Sequence, residues 1–154
     1  MSIDMTKWQE IAKENIHNRP AGTGRLAGKI TIVTGAAQGF GQGIAKCLIA
    51  QGANIVVADL NEVTGVQTVT ELNSVAKANR AIFVKCDITD ESSLNNLIDR
   101  TVSAFGGVDV FVSNAGIARA GGLDTMTVEM FELMTEVNYK AYFLSTKAAS
   151  SVMK

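Results

Sequence analysis

The segment Ile30 to Ala45 constrains the fold of this chain more than any other stretch. A β-branched run ends at Thr34, and a glycine-rich turn separates it from an apolar helical pattern. A strand, a glycine turn and a helix in this order direct backbone N–H groups and the positive end of the helix dipole at an anion. We predict a cradle for a dinucleotide pyrophosphate here. Gly35 permits the tight turn, and Gly39 and Gly41 let the backbone approach the phosphates.

An earlier glycine cluster, Gly22-Thr23-Gly24-Arg25-Leu26-Ala27, also fits the G-x-G-x-x-A pattern. It precedes the predicted strand instead of following it, so its context is wrong for phosphate binding. We interpret it as a flexible entry segment. The later cluster has an alternative interpretation as an ordinary strand-to-helix turn, and the choice depends on a second marker downstream.

That marker is Asp59, which follows an apolar segment, 53–58, that is typical of a buried strand. It lies 18 residues beyond Gly41, close to the ~20-residue offset expected for an acid that hydrogen bonds the adenosine ribose. A carboxylate here repels a 2′-phosphate, and the following Leu60 and Asn61 supply no compensating cation. The pattern therefore favours NAD over NADP. The alternative is that Asp59 caps the next helix.

The spacing Thr34-Gly35-x-x-x-Gly39-x-Gly41 resembles the short-chain dehydrogenase/reductase family, in its short form. Three further segments are similar to family motifs and occur in the family's order: Cys86-Asp87-Ile88-Thr89, Ser113-Asn114-Ala115-Gly116 and Val137-Asn138. Ser113 stands where the family has a first Asn. The resemblance extends over residues 28–154 and implies the amino-terminal, cofactor-binding portion of a family member.

The resemblance also implies roles for individual side chains. It implies that Asp87 contacts the adenine amino group and that Asn138 takes part in a proton relay through water. Asn114 and Gly116 fall near the nicotinamide ribose. The pattern and the resemblance together predict these cofactor-binding residues: Gly35, Gln38, Gly39, Phe40, Gly41, Asp59, Leu60, Asp87, Ile88, Asn114, Ala115 and Gly116.

The family's catalytic Ser and its Tyr-x-x-x-Lys pair are both missing from the expected places. Tyr142 is followed by Lys147 five positions later, and Tyr139 has Phe143 at the fourth position. A phenol and an ammonium share a helix face at i and i+4, so neither tyrosine has a correctly placed lysine. We expect an amino-terminal piece of a longer enzyme that is catalytically inactive by itself. Its fourth strand would be a bare sheet edge, and we expect marginal stability or association for the piece alone.

Strands and helices are predicted to alternate along the chain. The strands fall at 29–34, 53–58, 80–85 and 108–113, with helices at 41–51, 61–78 and 90–105 between them. Near-continuous apolar strands alternating with helices predict an α/β fold, a doubly wound parallel sheet of the Rossmann type in strand order 3-2-1-4. Thr89 or Asp90 is the expected cap of the third helix.

The chain divides into two regions. Residues 1–27 form an extension, in which apolar spacing over Lys7 to His17 predicts a short helix. Residues 28–154 form the dinucleotide-binding half of a Rossmann-type domain. From its cap at Thr127 to Lys154 the chain is predicted to be helical throughout, with Phe131 in its apolar stripe and a bend at Asn138.

Composition and single residues exclude several partner classes. A net charge of −1 supplies no basic field for nucleic acid or an anionic membrane. No apolar run is long enough to span a bilayer and no signal-peptide layout opens the chain, so we expect a cytoplasmic protein. Cys47 and Cys86 are expected to be buried reduced thiols. His17 is the only histidine, which excludes a multi-histidine metal site.

We therefore expect an NAD-dependent oxidoreductase that transfers hydride between nicotinamide and a secondary alcohol or ketone, with a sugar or polyol as the first guess. The whole enzyme is expected to be a homo-oligomer, a dimer or a tetramer. Two alternatives stay open: a non-catalytic dinucleotide-binding sensor or regulatory protein, and an NADP-dependent 3-oxoacyl reductase. Arg119 is either a solvated loop residue or a contact for an anionic substrate.

Overall fold

Four parallel strands form the centre of the chain, in the order β3-β2-β1-β4. The computed structural model describes residues 5–15 and 23–153. The strands are β1 (Ile30–Thr34), β2 (Asn54–Asp59), β3 (Ala81–Lys85) and β4 (Val110–Val112). β4 is an edge strand of this sheet, and its residues are half-buried. The predicted doubly wound parallel sheet and its strand order are confirmed.

Helices cover both faces of the sheet. They are α1 (Met5–Asn15), α2 (Gly39–Ala50), α3 (Glu62–Ala76), α4 (Glu91–Phe105), α5 (Val128–Thr135) and α6 (Ala141–Ser150). The core on one face joins Val33 and Val57 to α2 and α3, and the core on the other joins Ile32 and Val56 to α4 and α6. Because both faces are covered, the strands are apolar almost throughout, as in other buried parallel sheets.

Side-chain caps set the first residue of three helices. Asn61 accepts a hydrogen bond from the Thr64 N–H and caps α3, so the alternative of Asp59 as the cap is wrong. Asp90 caps α4 by accepting from the N–H groups of Ser92 and Ser93. The Ser92 hydroxyl and these N–H groups lower the pKa of the Asp90 carboxyl. The chain therefore uses Asp90, and not Thr89, as this cap.

The carboxyl-terminal helical segment is interrupted. The predicted cap is confirmed, since Thr127 accepts from the Met130 N–H at the start of α5. A π-helical turn at Glu136–Lys140 then joins α5 to α6 and includes Asn138, where a bend was predicted. The prediction of helix throughout to residue 154 was wrong, because α6 ends at Ser150. Phe131 was also misplaced: its side chain is exposed and takes no part in a buried stripe.

Two smaller predictions need correction. Residues 23–28 are not a loose entry segment, because they form turns packed against the end of α2, where the Leu26 N–H donates to the Gln51 carbonyl at 2.8 Å. Cys86 is buried but Cys47 is exposed, since it lies on the solvent side of α2. The predicted short helix is present as α1, whose Ile11 packs against the core beside α4. Residues 16 and 17 of that prediction lie outside the described residues.

Candidate functional site

A cavity of about 460 Å³ opens at the carboxyl ends of the strands. Every cofactor-binding residue predicted from the sequence, from Gly35 to Gly116, lines this one cavity. In a doubly wound sheet this is the edge where ligands bind. The sequence analysis missed five lining residues: Ala58, Cys86, Thr89, Ile117 and Val137. Each of the five directly adjoins a predicted site residue in the chain, and that adjacency was the available signal.

The glycine turn after β1 has the backbone that only glycine adopts easily. Gly35 and Gly39 have φ values of +64° and +61°, in the left-handed region. Gly41 is needed for a different reason: a Cβ there would overlap the Gly35 carbonyl and lie 2.6 Å from Asn114 Nδ2. The sequence predicts glycine at position 41 because it leaves room for a phosphate. Close packing inside the protein is a second reason for glycine at this position. Gln38 is the N-cap residue of α2, but its side chain makes no hydrogen bond to the helix. The first N–H groups of α2 are therefore not capped by a side chain.

Asp59 lies at the end of β2, and its carboxylate is held at both oxygens. Oδ2 accepts a hydrogen bond from the Ala37 N–H at 2.9 Å, and Oδ1 accepts one from the Asn61 N–H at 3.0 Å. The bond from Ala37 links the acid directly to the glycine turn. Among the described residues that line the cavity, the charged side chains are Asp59 and Asp87, and neither lysine nor arginine is present.

Asp87 lies beyond β3 in a tight turn. Its Oδ1 accepts hydrogen bonds from the N–H and the hydroxyl of Thr89, at 2.9 and 2.7 Å. Its own N–H donates to Ser93 Oγ at 2.9 Å, which ties the turn to the start of α4. Burial raises the pKa of the neighbouring Cys86 thiol to about 11, and the charges of Asp87 and Asp90 add to the effect. Cys86 therefore contributes a neutral, unreactive thiol to the cavity wall.

Asn114 joins the end of β4 to the glycine turn. Its Nδ2 donates to the carbonyl oxygens of Thr34 and Gly35, at 2.9 and 3.3 Å. The Thr34 hydroxyl accepts from the N–H groups of Asn114 and Ala115, at 3.0 and 3.1 Å. This network fixes the strand ends of β1 and β4 against each other. It holds residues 114–116 on the cavity wall.

Asn138 stands outside the cavity lining, and its exposed side chain makes two hydrogen bonds to one residue of the lining. Its Oδ1 accepts from the Ile117 N–H at 2.9 Å, and its Nδ2 donates to the Ile117 carbonyl at 2.8 Å. The amide therefore positions the loop after β4 against the π-helical turn. Tyr139 and Tyr142 are exposed and do not line the cavity.

The described residues contain no group of three or more His, Cys, Asp or Glu side chains that could hold a metal ion. None of the helices in the described part of the chain is long and apolar enough to cross a membrane.

The family model for short chain dehydrogenases matches residues 29–154, which is most of the chain. The chain belongs to the short chain dehydrogenase family. A family member from Burkholderia cenocepacia, solved in complex with NADP, superposes with a TM-score of 0.77 at 35% identity, over 84% of this chain and 52% of that one. The structure thus has the fold of the family.

Two of the relatives with named activities are dehydrogenases of hydroxyl compounds. A 2,5-dichloro-2,5-cyclohexadiene-1,4-diol dehydrogenase of Sphingobium indicum is 41% identical over 81% of this chain and 49% of its own length. A galactitol 2-dehydrogenase of Agrobacterium fabrum is 33% identical over 84% of this chain and 48% of its own. The chain therefore spans about half the length of these short chain dehydrogenases.

Proposed function

We propose that this chain is the NAD-binding part of an oxidoreductase that interconverts a secondary alcohol and a ketone. The observation that carries the proposal is Asp59, whose carboxylate is fixed at the edge of a cavity that no lysine or arginine lines among the described residues. Such an acid accepts hydrogen bonds from the ribose hydroxyls of NAD and repels the 2′-phosphate of NADP.

The residues present fit a dinucleotide. The uncapped first turn of α2 supplies N–H donors for the pyrophosphate, and Gly39 keeps that approach free of side chains. Asp59 would hold the adenosine ribose, and Asp87 would hold the adenine amino group. Asn114 to Gly116 would lie beside the nicotinamide ribose. When bound, the nicotinamide supplies the hydride chemistry.

The chain's own residues organise the site but supply no proton-transfer pair. Asn138 holds Ile117 through both groups of its amide, so its side chain positions the cavity wall, and the second lone pair of Oδ1 and the second N–H of Nδ2 can still bind a relay water. Neither Tyr139 nor Tyr142 has a lysine four positions later. We propose that these residues bind and orient the cofactor, and that the chain by itself does not turn over substrate.

The proposed substrate is a neutral polyol or cyclic diol. Two of the relatives with named activities are dehydrogenases of compounds with several hydroxyl groups, a dichlorocyclohexadienediol and galactitol. The cavity wall beyond Gly116 is formed by the apolar side chains of Ile117 and Val137. Arg119 is exposed and does not line the cavity, which argues against an anionic substrate held by this residue.

Calorimetric titration of the whole chain with NAD⁺ and NADP⁺ tests the cofactor proposal. We expect NAD⁺ to bind at least tenfold more tightly, a difference of ~1.4 kcal/mol. Asp59→Ser should remove most of this preference, because it takes away the negative charge that repels the 2′-phosphate. Asp124→Ser, an exposed loop variant with the same charge change, should retain it. Equal or tighter binding of NADP⁺ by the unmodified chain would reject the preference for NAD.

A further inference from the structure

Thr68 lies on α3, beneath the glycine turn, and its hydroxyl joins three elements of the structure. Its side chain is 1% exposed. Oγ1 donates a hydrogen bond to the Ala37 carbonyl at 2.8 Å and accepts one from Gln42 Nε2 at 3.0 Å. The hydroxyl is therefore used both as donor and as acceptor, between α3, the turn and α2.

Ala37 is the residue through which Thr68 reaches the site. Its carbonyl accepts from Thr68, and its N–H donates to Asp59 Oδ2 at 2.9 Å. Ala37 is fully buried, so its carbonyl would be costly to leave without a donor. If the Thr68 hydroxyl were removed, the turn would have to shift to satisfy that carbonyl. The N–H that holds the Asp59 carboxylate would shift with it.

The acceptor side of Thr68 is anchored as well. Gln42 Nε2 also donates to Glu71 Oε2 at 3.3 Å, and Glu71 forms an ion pair with Lys46 Nζ at 2.9 Å. The amide of Gln42 is thereby held between α2 and α3. An anchored amide gives the Thr68 hydroxyl one orientation, the one that points its hydrogen at Ala37.

We propose that Thr68 is a positioning residue for Asp59. By holding that carboxylate in place, it sets the affinity of the site for the adenosine ribose, whose hydroxyls donate to Asp59, and with it the choice between NAD and NADP. The inference rests on the proposed function. Thr68 does not line the cavity. It acts on the cofactor through Ala37 and Asp59.

A purely structural role for Thr68 predicts a different result. If the hydroxyl only stabilised the packing of α3, its loss would weaken NAD⁺ and NADP⁺ binding by the same factor. A role through Asp59 weakens NAD⁺ alone, because the 2′-phosphate of NADP⁺ offers that carboxylate no hydrogen-bond donor.

Calorimetry on Thr68→Val, Thr68→Ser and Thr101→Val separates these roles. Valine keeps the shape of threonine without the hydroxyl, and serine restores the hydroxyl. Thr101 is the matched control: it is fully buried on α4, but its Oγ1 donates to the Leu97 carbonyl of its own helix. We expect Thr68→Val to raise the Kd for NAD⁺ about fivefold, the factor for one lost hydrogen bond, and to leave the Kd for NADP⁺ within about twofold. Thr68→Ser and Thr101→Val should bind NAD⁺ within about twofold of the unmodified chain.

The double variant with Asp59→Ser tests the path. If Thr68 acts through Asp59, adding Thr68→Val to Asp59→Ser should cause no further loss of NAD⁺ affinity. Equal losses for both nucleotides, or a fivefold loss that persists without Asp59, would overturn the inference and leave the proposed function intact. An unmodified chain that binds neither nucleotide would overturn both.

Discussion

Asn138 and Ile117 are joined by two hydrogen bonds, from the Ile117 N–H to Asn138 Oδ1 and from Asn138 Nδ2 to the Ile117 carbonyl. The bonds connect the π-helical turn between α5 and α6 to the loop that leaves β4. Ile117 lines the cavity, so this side chain shapes the site without entering it.

Asn138→Ala should destabilise the chain because it removes both bonds to the Ile117 backbone. We expect the free energy of unfolding, measured by urea denaturation, to fall by about 1–2 kcal/mol. Asn96→Ala, on an exposed position of α4, is the control and should be neutral or slightly stabilising. An Asn138 variant as stable as the Asn96 variant would show that the two bonds are not maintained in solution.

Two glycines of α2 should respond to alanine in opposite ways. Gly41→Ala places a methyl group 2.6 Å from Asn114 Nδ2 and against the Gly35 carbonyl, so it should lower the stability by about 1–3 kcal/mol and abolish nucleotide binding. Gly43 has no atom within 4 Å of an added Cβ. Gly43→Ala should therefore raise the stability by about 0.5–1 kcal/mol, as in other helix interiors. Thermal unfolding measures the stability of both variants, and nucleotide titrations measure their binding. A stability change of the same sign in the two variants would contradict the packing of the turn.

Two buried threonines of β1 provide another contrast. Thr31 Oγ1 has no hydrogen-bond partner, whereas the Thr34 hydroxyl accepts from the N–H groups of Asn114 and Ala115. Thr31→Val should raise the free energy of unfolding by about 1 kcal/mol, because valine buries no unpaired hydroxyl. Thr34→Val should lower it by about 1–3 kcal/mol, since it leaves the Ala115 N–H without its acceptor and removes one of the two acceptors of the Asn114 N–H. A stabilising Thr34→Val, seen in urea denaturation, would show that this strand-end network is wrong.

The two thiols should differ in reactivity. Cys47 is exposed, while Cys86 is buried and its pKa is raised to about 11, so at pH 8 only about one Cys86 thiol in a thousand is ionised. Alkylation with iodoacetamide in the folded state should modify Cys47 and spare Cys86, as peptide mass spectrometry would show. Cys47→Ser should then abolish labelling until urea is added. Rapid native labelling of Cys86 would mean that its wall of the cavity opens to solvent.

Much of the fold was predictable because the strong signals are local. The β-branched runs and the caps at Asp90 and Thr127 depend on neighbours within a few residues, and they placed the strands and most helix starts. The order of the strands followed from the way parallel units connect. The exposure of Cys47 and Phe131 was not predictable in this way. Each depends on which side of a helix meets the sheet, and apolar spacing settles that poorly in short helices.

The site was predictable as a set of residues but less well as a set of contacts. Residues at the carboxyl ends of parallel strands converge whatever their side chains do, and so Asp59, Asp87 and Asn114 came together as expected. The side-chain partners could not be read from the sequence, because they connect distant segments. The bonds of Asn138 to Ile117 were not predicted, and the contact of Thr68 with Ala37 carried no sequence signal at all.

The central claim is that the turn after β1, together with Asp59 and Asp87, holds a dinucleotide. Titration of the ¹⁵N-labelled chain with NAD⁺, followed by the chemical shifts of its backbone amides, tests this most directly. We predict saturable changes concentrated at Gly39, Phe40, Gly41 and the two aspartates, and none at Gly106 and Gly107 at the far end of α4. Spectra that do not change at saturating NAD⁺, or changes confined to residues outside the cavity, would contradict it.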